Sequence, residues 1–198
     1  MIQSFSEYLE NEFESVNLNN SETISSRFQE CVFDRCKFTE SAFVNCRFID
    51  SQFVNCDLSL MGIPGSYFSG TRFEECKIIG VNWALANWSD LGIWKAIEFN
   101  QCALNHSTFL GLEIPKSRFI NCELLNVDFR EANLTSVDFS NSDLNESLFN
   151  STNLTGSNLI KARNYQIDPT KNKLKNAMFS MPEVLSLLYN MDIEIKQS

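Results

Sequence analysis

Long apolar runs are missing from this sequence: none approaches the ~18 residues that a helix needs to cross a bilayer. The N-terminus, MIQSFSEYLE, also lacks the basic region and the apolar region of a secretory signal peptide. These two absences argue against a membrane span and against export. We therefore expect a cytoplasmic protein that has no membrane partner.

Glycine, proline and histidine are scarce, with seven, four and one residues among 198. The scarcity of glycine and proline excludes collagen-like and low-complexity chains. Because His106 is the only histidine and no glycine-rich phosphate-binding motif occurs, the sequence lacks the usual components of a catalytic site. We expect no enzyme activity, no catalytic residues, no cofactor and no small-molecule substrate.

The seven cysteines include no Cys-x-x-Cys pair, which is the usual sign of a zinc site. Each cysteine lies two residues before a large apolar residue, in a slot that Ala, Ser, Thr and Val also fill. They are Cys31, Cys36, Cys46, Cys56, Cys76, Cys102 and Cys122. We interpret them as small inward packing residues, and we expect neither a metal site nor, in a reducing cytosol, a disulfide.

What the sequence does have is a large apolar residue at every fifth position. The pattern holds without exception at thirteen sites from Phe99 to Leu159, and an earlier run extends from Phe28 to Ile93. On a helix, five residues advance by ~500°, so these sites would spiral around every face; on a strand, an odd period alternates between the two faces. The chain must therefore turn once per pentapeptide, always in the same sense. This is the arrangement of a solenoid.

The repeat divides the chain into segments. Residues 1–26 are atypical and acidic, and we expect an N-terminal cap with a short amphipathic helix from Tyr8 to Val16. Residues 27–160 form the solenoid, in which the register slips by one residue within 91–98. A single extra residue predicts a local bulge, with Trp94 exposed.

The last segment, 161–198, is predicted to cap the solenoid and to form a dimer. We expect Ser180 to cap a helix that ends near Asn190, and the alternating residues 191–195 to form a short strand. The segment has more apolar surface than these elements can bury, so we expect it to join a second copy through a two-fold interface. The predicted dimer interface consists of Val184, Leu185, Leu187, Leu188, Met191, Ile193 and Ile195.

The unit Glu131-Ala132-Asn133-Leu134-Thr135 resembles the A(D/N)LXX unit of pentapeptide-repeat proteins. This resemblance implies an all-β fold: a right-handed quadrilateral β-helix with four pentapeptides per coil, a short N-terminal cap and a C-terminal helix. Residues 55–60, 80–83, 164–168 and 179–183 are similar to the albicidin-resistance members, which belong with the Qnr and MfpA proteins. In that subgroup, two solenoids join through their C-terminal segments into an acidic rod that mimics DNA and binds type II topoisomerases.

The formal net charge is −9, and acidic residues are concentrated in the second half of the repeat. With four pentapeptides per coil, they are expected on three neighbouring sides of the solenoid. The predicted acidic surface consists of Glu98, Glu123, Asp128, Glu131, Asp138, Asp143 and Glu146. Such a surface excludes nucleic acid as a ligand and favours a basic partner, although it could also serve only to keep the protein soluble.

These features lead to one functional hypothesis and one alternative. By its resemblance, the protein is a dimeric DNA mimic that binds DNA gyrase or topoisomerase IV and protects the enzyme from an albicidin-like or quinolone-like poison. The solenoid is expected to contain six to seven coils, and the two acidic zones to merge at the centre of the dimer. The alternative is a scaffold or regulatory protein that binds an unrelated protein through its flat faces.

Overall fold

The computed structural model describes residues 2–88, 96–191 and 193. The chain forms a parallel β-solenoid of about eight turns. Strand residues pair with residues twenty positions further along, as Phe13 pairs with Phe33 and Phe33 with Phe53. Because each pentapeptide forms one side, a coil of twenty residues has four sides. The expected quadrilateral β-helix is therefore confirmed.

We number the sides 1 to 4 in the order in which the first coil passes through Tyr8, Phe13, Leu18 and Thr23. Side 1 contains β1 (Glu7–Leu9), β4 (Arg27–Gln29), β7 (Arg47–Ile49) and β9 (Tyr67–Ser69). Side 2 contains β2 (Glu12–Glu14), β5 (Val32–Asp34), β8 (Gln52–Val54), β10 (Arg72–Glu74), β11 (Glu98–Asn100), β12 (Arg118–Ile120), β13 (Asn158–Leu159) and β14 (Met178–Phe179). Side 4 contains β3 (Glu22–Ile24) and β6 (Ala42–Val44), whereas side 3 is held by single parallel bridges such as that between Asn17 and Lys37.

The core consists of columns of large side chains that stack from coil to coil. The ring of Phe53 lies 4.5 Å from that of Phe33 and 4.9 Å from that of Phe73, nearly parallel to both. Rings on adjacent sides meet edge to face, as Phe38 and Phe43 do. These are the two geometries that aromatic pairs prefer, so phenylalanine fits the axis of this solenoid well.

The corners of the solenoid depend on two local features. The second residue after each centre usually has a positive φ, for example 56° at Asn126 and 61° at Glu131. In many units the residue before the centre is Asp or Asn, and its side chain accepts a backbone N–H two residues on; Asp138 Oδ1 and Ser140 N are 3.0 Å apart. Asp and Asn side chains favour this turn, which explains the second position of the repeat.

The helix expected between Tyr8 and Val16 is wrong. These residues lie in β1 and β2, which pair in register with β4 and β5. The first coil continues the five-residue spacing through positions 8, 13, 18 and 23, and hydrogen bonding to the second coil overrides the helical pattern. The solenoid therefore has about eight turns rather than six to seven. The segment boundaries at 26 and 160 stay predictions.

The slip in the repeat is larger than the predicted single residue. Arg72 pairs with Glu98, which is 26 positions further along, so this coil has six residues more than the others. The ladder passes directly from Phe73 to Phe99, and Trp83 stacks on Phe109 across the same gap. Residues 89–95, including Trp94 and most of the expected bulge, lie outside the described residues.

A 3-10 helix, Glu183–Asn190, occupies the expected position at the C-terminal end. Ser180 does not cap it with its side chain; its hydroxyl oxygen instead accepts the backbone N–H of Lys161 at 2.8 Å. Glu183 Oε1 accepts the N–H of Asn164 at 2.6 Å, so two side chains fasten this segment to the last full coil. The strand expected at 191–195 falls mainly outside the described residues. No helix in the described part of the chain is long and apolar enough to cross a membrane.

Candidate functional site

On side 2, the acids of the predicted acidic surface alternate with arginines. Glu98 lies between two of them: Arg118 Nη1 is 3.1 Å from its Oε1, and Arg72 Nε is 3.8 Å from its Oε2. Asp138 follows Arg118 in the next coil, and its Oδ1 accepts a hydrogen bond from Asn158. Because each of these two acids neighbours a base or an amide, their charge is compensated locally.

Side 3 brings two of the predicted acids next to each other. Glu123 and Asp143 form a rung in successive coils. Asp143 is half-buried and accepts hydrogen bonds from Arg163 at 3.0 Å and from Asn164 at 2.8 Å. Glu123 and, at the next corner, Glu146 are exposed, and neither forms an ion pair with a residue that the structure describes. Side 3 therefore has free negative charge at these two glutamates.

Side 4 contributes one paired and one unpaired acid. The hydrogen bonds from Arg130 hold the pKa of Asp128 below its usual value, and the two side chains meet at 2.7 Å. Asp128 is thus neutralised locally. Glu131, at the corner between side 4 and side 1, is exposed and has no ion pair among the described residues.

The structure therefore separates the seven predicted acids into two groups. Glu98, Asp128, Asp138 and Asp143 are half-buried and bonded to neighbours, whereas Glu123, Glu131 and Glu146, which we call the unpaired acids, are exposed. The sequence could not distinguish the groups, because the bonding partners come from other coils or from turn geometry. The unpaired acids lie around sides 3 and 4 in the second half of the repeat.

The last coil carries exposed lysines, on side 1 (Lys173), at the corner after it (Lys175) and at the corner of sides 2 and 3 (Lys161). Lys161, Lys173 and Lys175 form no ion pair within the described ranges, and Lys173 forms the rung after Asn153. They are located between the unpaired acids and the C-terminal end. The negative surface is consequently bounded by a positive coil on its C-terminal side.

The predicted dimer interface is only partly exposed. Leu187 packs against the core, and Val184, Leu185 and Leu188 are half-buried. Met191 and Ile193 are exposed, whereas Ile195 lies outside the described residues. Sequence reasoning missed Met178, Met181 and Tyr189, which have 48%, 70% and 77% of their surface exposed at the same end. Met178 occupies an outward slot of the repeat, so continuing the five-residue count to β14 would have identified it.

The cysteines are buried, and five of them form one column inside side 3. The Cys36 N–H points to the sulfur of Cys56 at 3.3 Å, and the Cys56 N–H to that of Cys76 at 3.4 Å. Burial raises the pKa of the Cys46 and Cys102 thiols, which keeps them protonated. Among the described residues, no group of three or more His, Cys, Asp or Glu side chains is placed to hold a metal ion.

The geometry defines a class of protein: a four-sided parallel β-solenoid that places one large side chain per pentapeptide on its axis. The family model of the pentapeptide repeat region matches residues 26–96 and 93–159. The chain therefore belongs to the pentapeptide repeat family. No curated protein sequence matches it.

Solved structures of QnrB1, a plasmid-mediated fluoroquinolone resistance protein, have a similar fold. A trypsin-treated form is 16% identical, with a TM-score of 0.65 over 96% of this chain and 99% of that one. Full-length QnrB1 is 18% identical, with a TM-score of 0.59 over 94% of this chain and 100% of that one. At this level of identity, the similarity establishes the fold alone.

Proposed function

We propose that the protein is an acidic DNA mimic that binds DNA gyrase or topoisomerase IV and protects it from an albicidin-like or quinolone-like poison. It acts in the cytoplasm, without catalysis, as a homodimer joined through its C-terminal ends. The observation that carries the proposal is the QnrB1-like solenoid with unpaired acids on two adjacent sides. The resemblance of the sequence to the topoisomerase-protecting subgroup supplies the partner.

The dimensions of the solenoid support mimicry of a DNA segment. About eight turns at ~4.8 Å per coil give a ladder of ~38 Å. Two copies joined end to end would be ~76 Å long, comparable to ~22 base pairs at ~3.4 Å each. A basic groove that binds duplex DNA would attract such an acidic rod electrostatically. This attraction should weaken as the salt concentration rises.

The structure changes where the negative charge of the dimer is expected. Lys161, Lys173 and Lys175 lie between the unpaired acids and the C-terminal end. In a C-terminal dimer, the coil that carries these lysines would lie between the two acidic zones, so we expect the zones to stay apart instead of merging at the centre. We therefore place the contact with the topoisomerase on sides 3 and 4 of each copy, away from the junction.

A supercoiling and cleavage assay with purified gyrase or topoisomerase IV tests the proposal. The variant Glu123→Gln, Glu131→Gln, Glu146→Gln removes the unpaired acids and should weaken binding and protection about tenfold or more. The matched control Glu7→Gln, Glu10→Gln, Glu12→Gln removes the same charge at the other end and should bind as the parent does. Both variants should keep the parent's circular dichroism spectrum.

Two results would contradict this assignment. Equal weakening by both variants would mean that net charge, and not sides 3 and 4, governs binding. No effect of the parent protein on either topoisomerase would favour the alternative, a scaffold that binds an unrelated protein through its faces. The part of side 2 in which Arg72, Glu98, Arg118 and Asp138 alternate offers such a scaffold a flat surface.

A further inference from the structure

The two ends of the solenoid are finished differently. At the C-terminal end, the helix Glu183–Asn190 and the side chains of Ser180 and Glu183 fasten a covering segment to the last full coil. At the N-terminal end, β1, β2 and β3 are each the outermost strand of their sheet. In the part of the chain that the structure describes, β1 and β2 each pair with a single neighbour. On the outer side of β3, Ile24 donates its N–H to Ser4 Oγ and accepts the N–H of Phe5, so this side of the first coil is covered.

The hydrogen-bond pattern of the ladder shows which backbone groups this open end presents. In each coil, the residue before a centre donates its N–H to the coil below: Arg27 donates to the Ser6 oxygen and Val32 to the Asn11 oxygen, both at 2.9 Å. The equivalent residues of the first coil are Glu7 and Glu12. No described residue accepts a hydrogen bond from their N–H groups, which by the ladder pattern point away from the second coil. Such groups are a template for pairing with another chain.

The side chains along this edge are acidic, with apolar residues between them. Glu7, Glu10, Glu12 and Glu14 follow one another through β1 and β2, and within the described part of the chain only Glu14 of these four forms an ion pair, with Arg35. Leu9 is also exposed, with 60% of its surface accessible. The edge therefore combines free backbone donors, negative charge and an apolar contact.

We propose that the β1–β2 edge binds an extended basic segment of another protein by strand addition. Carbonyl groups of that segment accept the N–H groups of Glu7 or Glu12, and its Lys or Arg side chains face the glutamates. A side of the coil is only about five residues long, so a straight segment pairs with one side. The β2 side is favoured, because Glu12 and Glu14 lie on both flanks of Phe13. This inference is independent of the proposed topoisomerase contact, which involves other residues.

Binding of a fluorescent seven-residue peptide of alternating lysine and valine, measured by anisotropy, tests the inference. The parent should bind this peptide and should not bind the same peptide with glutamate in place of lysine. Glu7→Gln with Glu12→Gln should weaken binding about tenfold, whereas Glu113→Gln with Glu131→Gln, equal in charge but far from the edge, should not. Peptide binding should also slow hydrogen exchange at the Glu7 and Glu12 amides.

A second variant separates strand addition from charge alone. Glu12→Pro removes an outward N–H that forms no ladder bond, so the variant should fold and should bind more weakly than Glu12→Gln. Equal binding by these two variants, or equal loss in the distant control, would overturn the inference. So would larger species formed by the Glu7→Gln, Glu12→Gln variant in sedimentation, since the partner of the edge would then be a second copy. The assay contains no topoisomerase, so its result does not depend on the proposed function.

Discussion

The guanidinium of Arg163 donates a hydrogen bond from Nε to Asp143 Oδ2 at 3.0 Å, across one coil of the ladder. The other oxygen, Oδ1, accepts the N–H of Asn145 in the local turn, at 3.2 Å, and the Nδ2 of Asn164. A residue that sequence analysis assigned to partner binding therefore also holds two coils together. A substitution that removes the charge of Asp143 therefore also changes the hydrogen bonds of its turn and of the next coil.

Asp143→Asn should destabilise the protein less than Asp143→Ala does. Asparagine keeps an oxygen for the turn and loses only part of the contact with Arg163, whereas alanine loses all of it. A buried or half-buried hydrogen bond contributes about 1 kcal/mol, so alanine should lower the free energy of unfolding by about 1–2 kcal/mol. Urea unfolding of the two variants measures the difference. If both variants were as stable as the parent, the carboxylate would have no structural role.

Phe53→Ala should be among the most damaging single changes in the core. Its ring is 1% exposed and is stacked between Phe33 and Phe73. Loss of a buried aromatic ring typically costs about 3–5 kcal/mol. Phe5→Ala, at a residue that is 76% exposed, is the matched control and should leave the unfolding midpoint almost unchanged. A Phe53→Ala variant as stable as this control would contradict the stacked core.

Gly80→Ala should cost more stability than Gly111→Ala. Both glycines have a positive φ, 71° and 67°, so both substitutions incur a penalty of about 1 kcal/mol for the left-handed backbone. A Cβ at Gly80 would also lie 2.7 Å from Leu60 Cδ2, whereas one at Gly111 would meet nothing within 4 Å. The difference between the thermal unfolding midpoints of the two variants measures the cost of the contact with Leu60. If the two variants have the same unfolding midpoint, the Leu60 side chain moves away from the new Cβ without a cost in stability.

The buried thiols should make the protein less stable in alkali. Burial raises the pKa of Cys31 and Cys46 above the ordinary value of 9.0, which the unfolded chain retains. Above about pH 9 the folded state holds more protons than the unfolded state, so the free energy of unfolding falls as pH rises. The stabilisation is complete below pH 9 and decreases by up to about 1.4 kcal/mol per pH unit for each thiol.

Urea unfolding at a series of pH values tests this dependence. Cys46→Ala should reduce the fall of the free energy of unfolding above pH 9. Near neutral pH it should not change how the free energy of unfolding depends on pH. Mild oxidation of the folded parent should form no disulfide, since all seven thiols are buried. Rapid labelling of most thiols without denaturant would contradict the inward assignment.

The exposed apolar residues at the C-terminal end should hold the dimer together. Met181→Lys with Tyr189→Lys places charge on two side chains that are 70% and 77% exposed, and should shift the protein to monomer. Deleting residues 180–198 should give monomer or aggregate. The control Leu60→Lys changes another exposed apolar residue, 55% accessible and far from that end, and should keep the dimer. An unchanged sedimentation coefficient for the double variant would refute the C-terminal interface.

The five-residue period was sufficient to predict the solenoid, because inward and outward directions repeat within each pentapeptide. The pattern places Phe53, Cys56 and Leu58 inward, and all three are buried. Asp57 accepts the N–H of Ser59 in the turn that the repeat predicts. These features depend on a few neighbouring residues and on the need to bury large side chains. The sequence of the repeating pentapeptide is therefore enough to predict them.

The sequence alone did not predict the contacts between coils, because these contacts join residues that are twenty or more positions apart. The pattern of Tyr8 to Val16 suited a helix as well as two strands, and only pairing with β4 and β5 decided between them. The length of the coil from Arg72 to Glu98 likewise follows from strand register and not from the repeat. Whether an acid such as Asp143 is free or paired depends on which side chain the next coil places above it, and that is a property of the closed ladder alone.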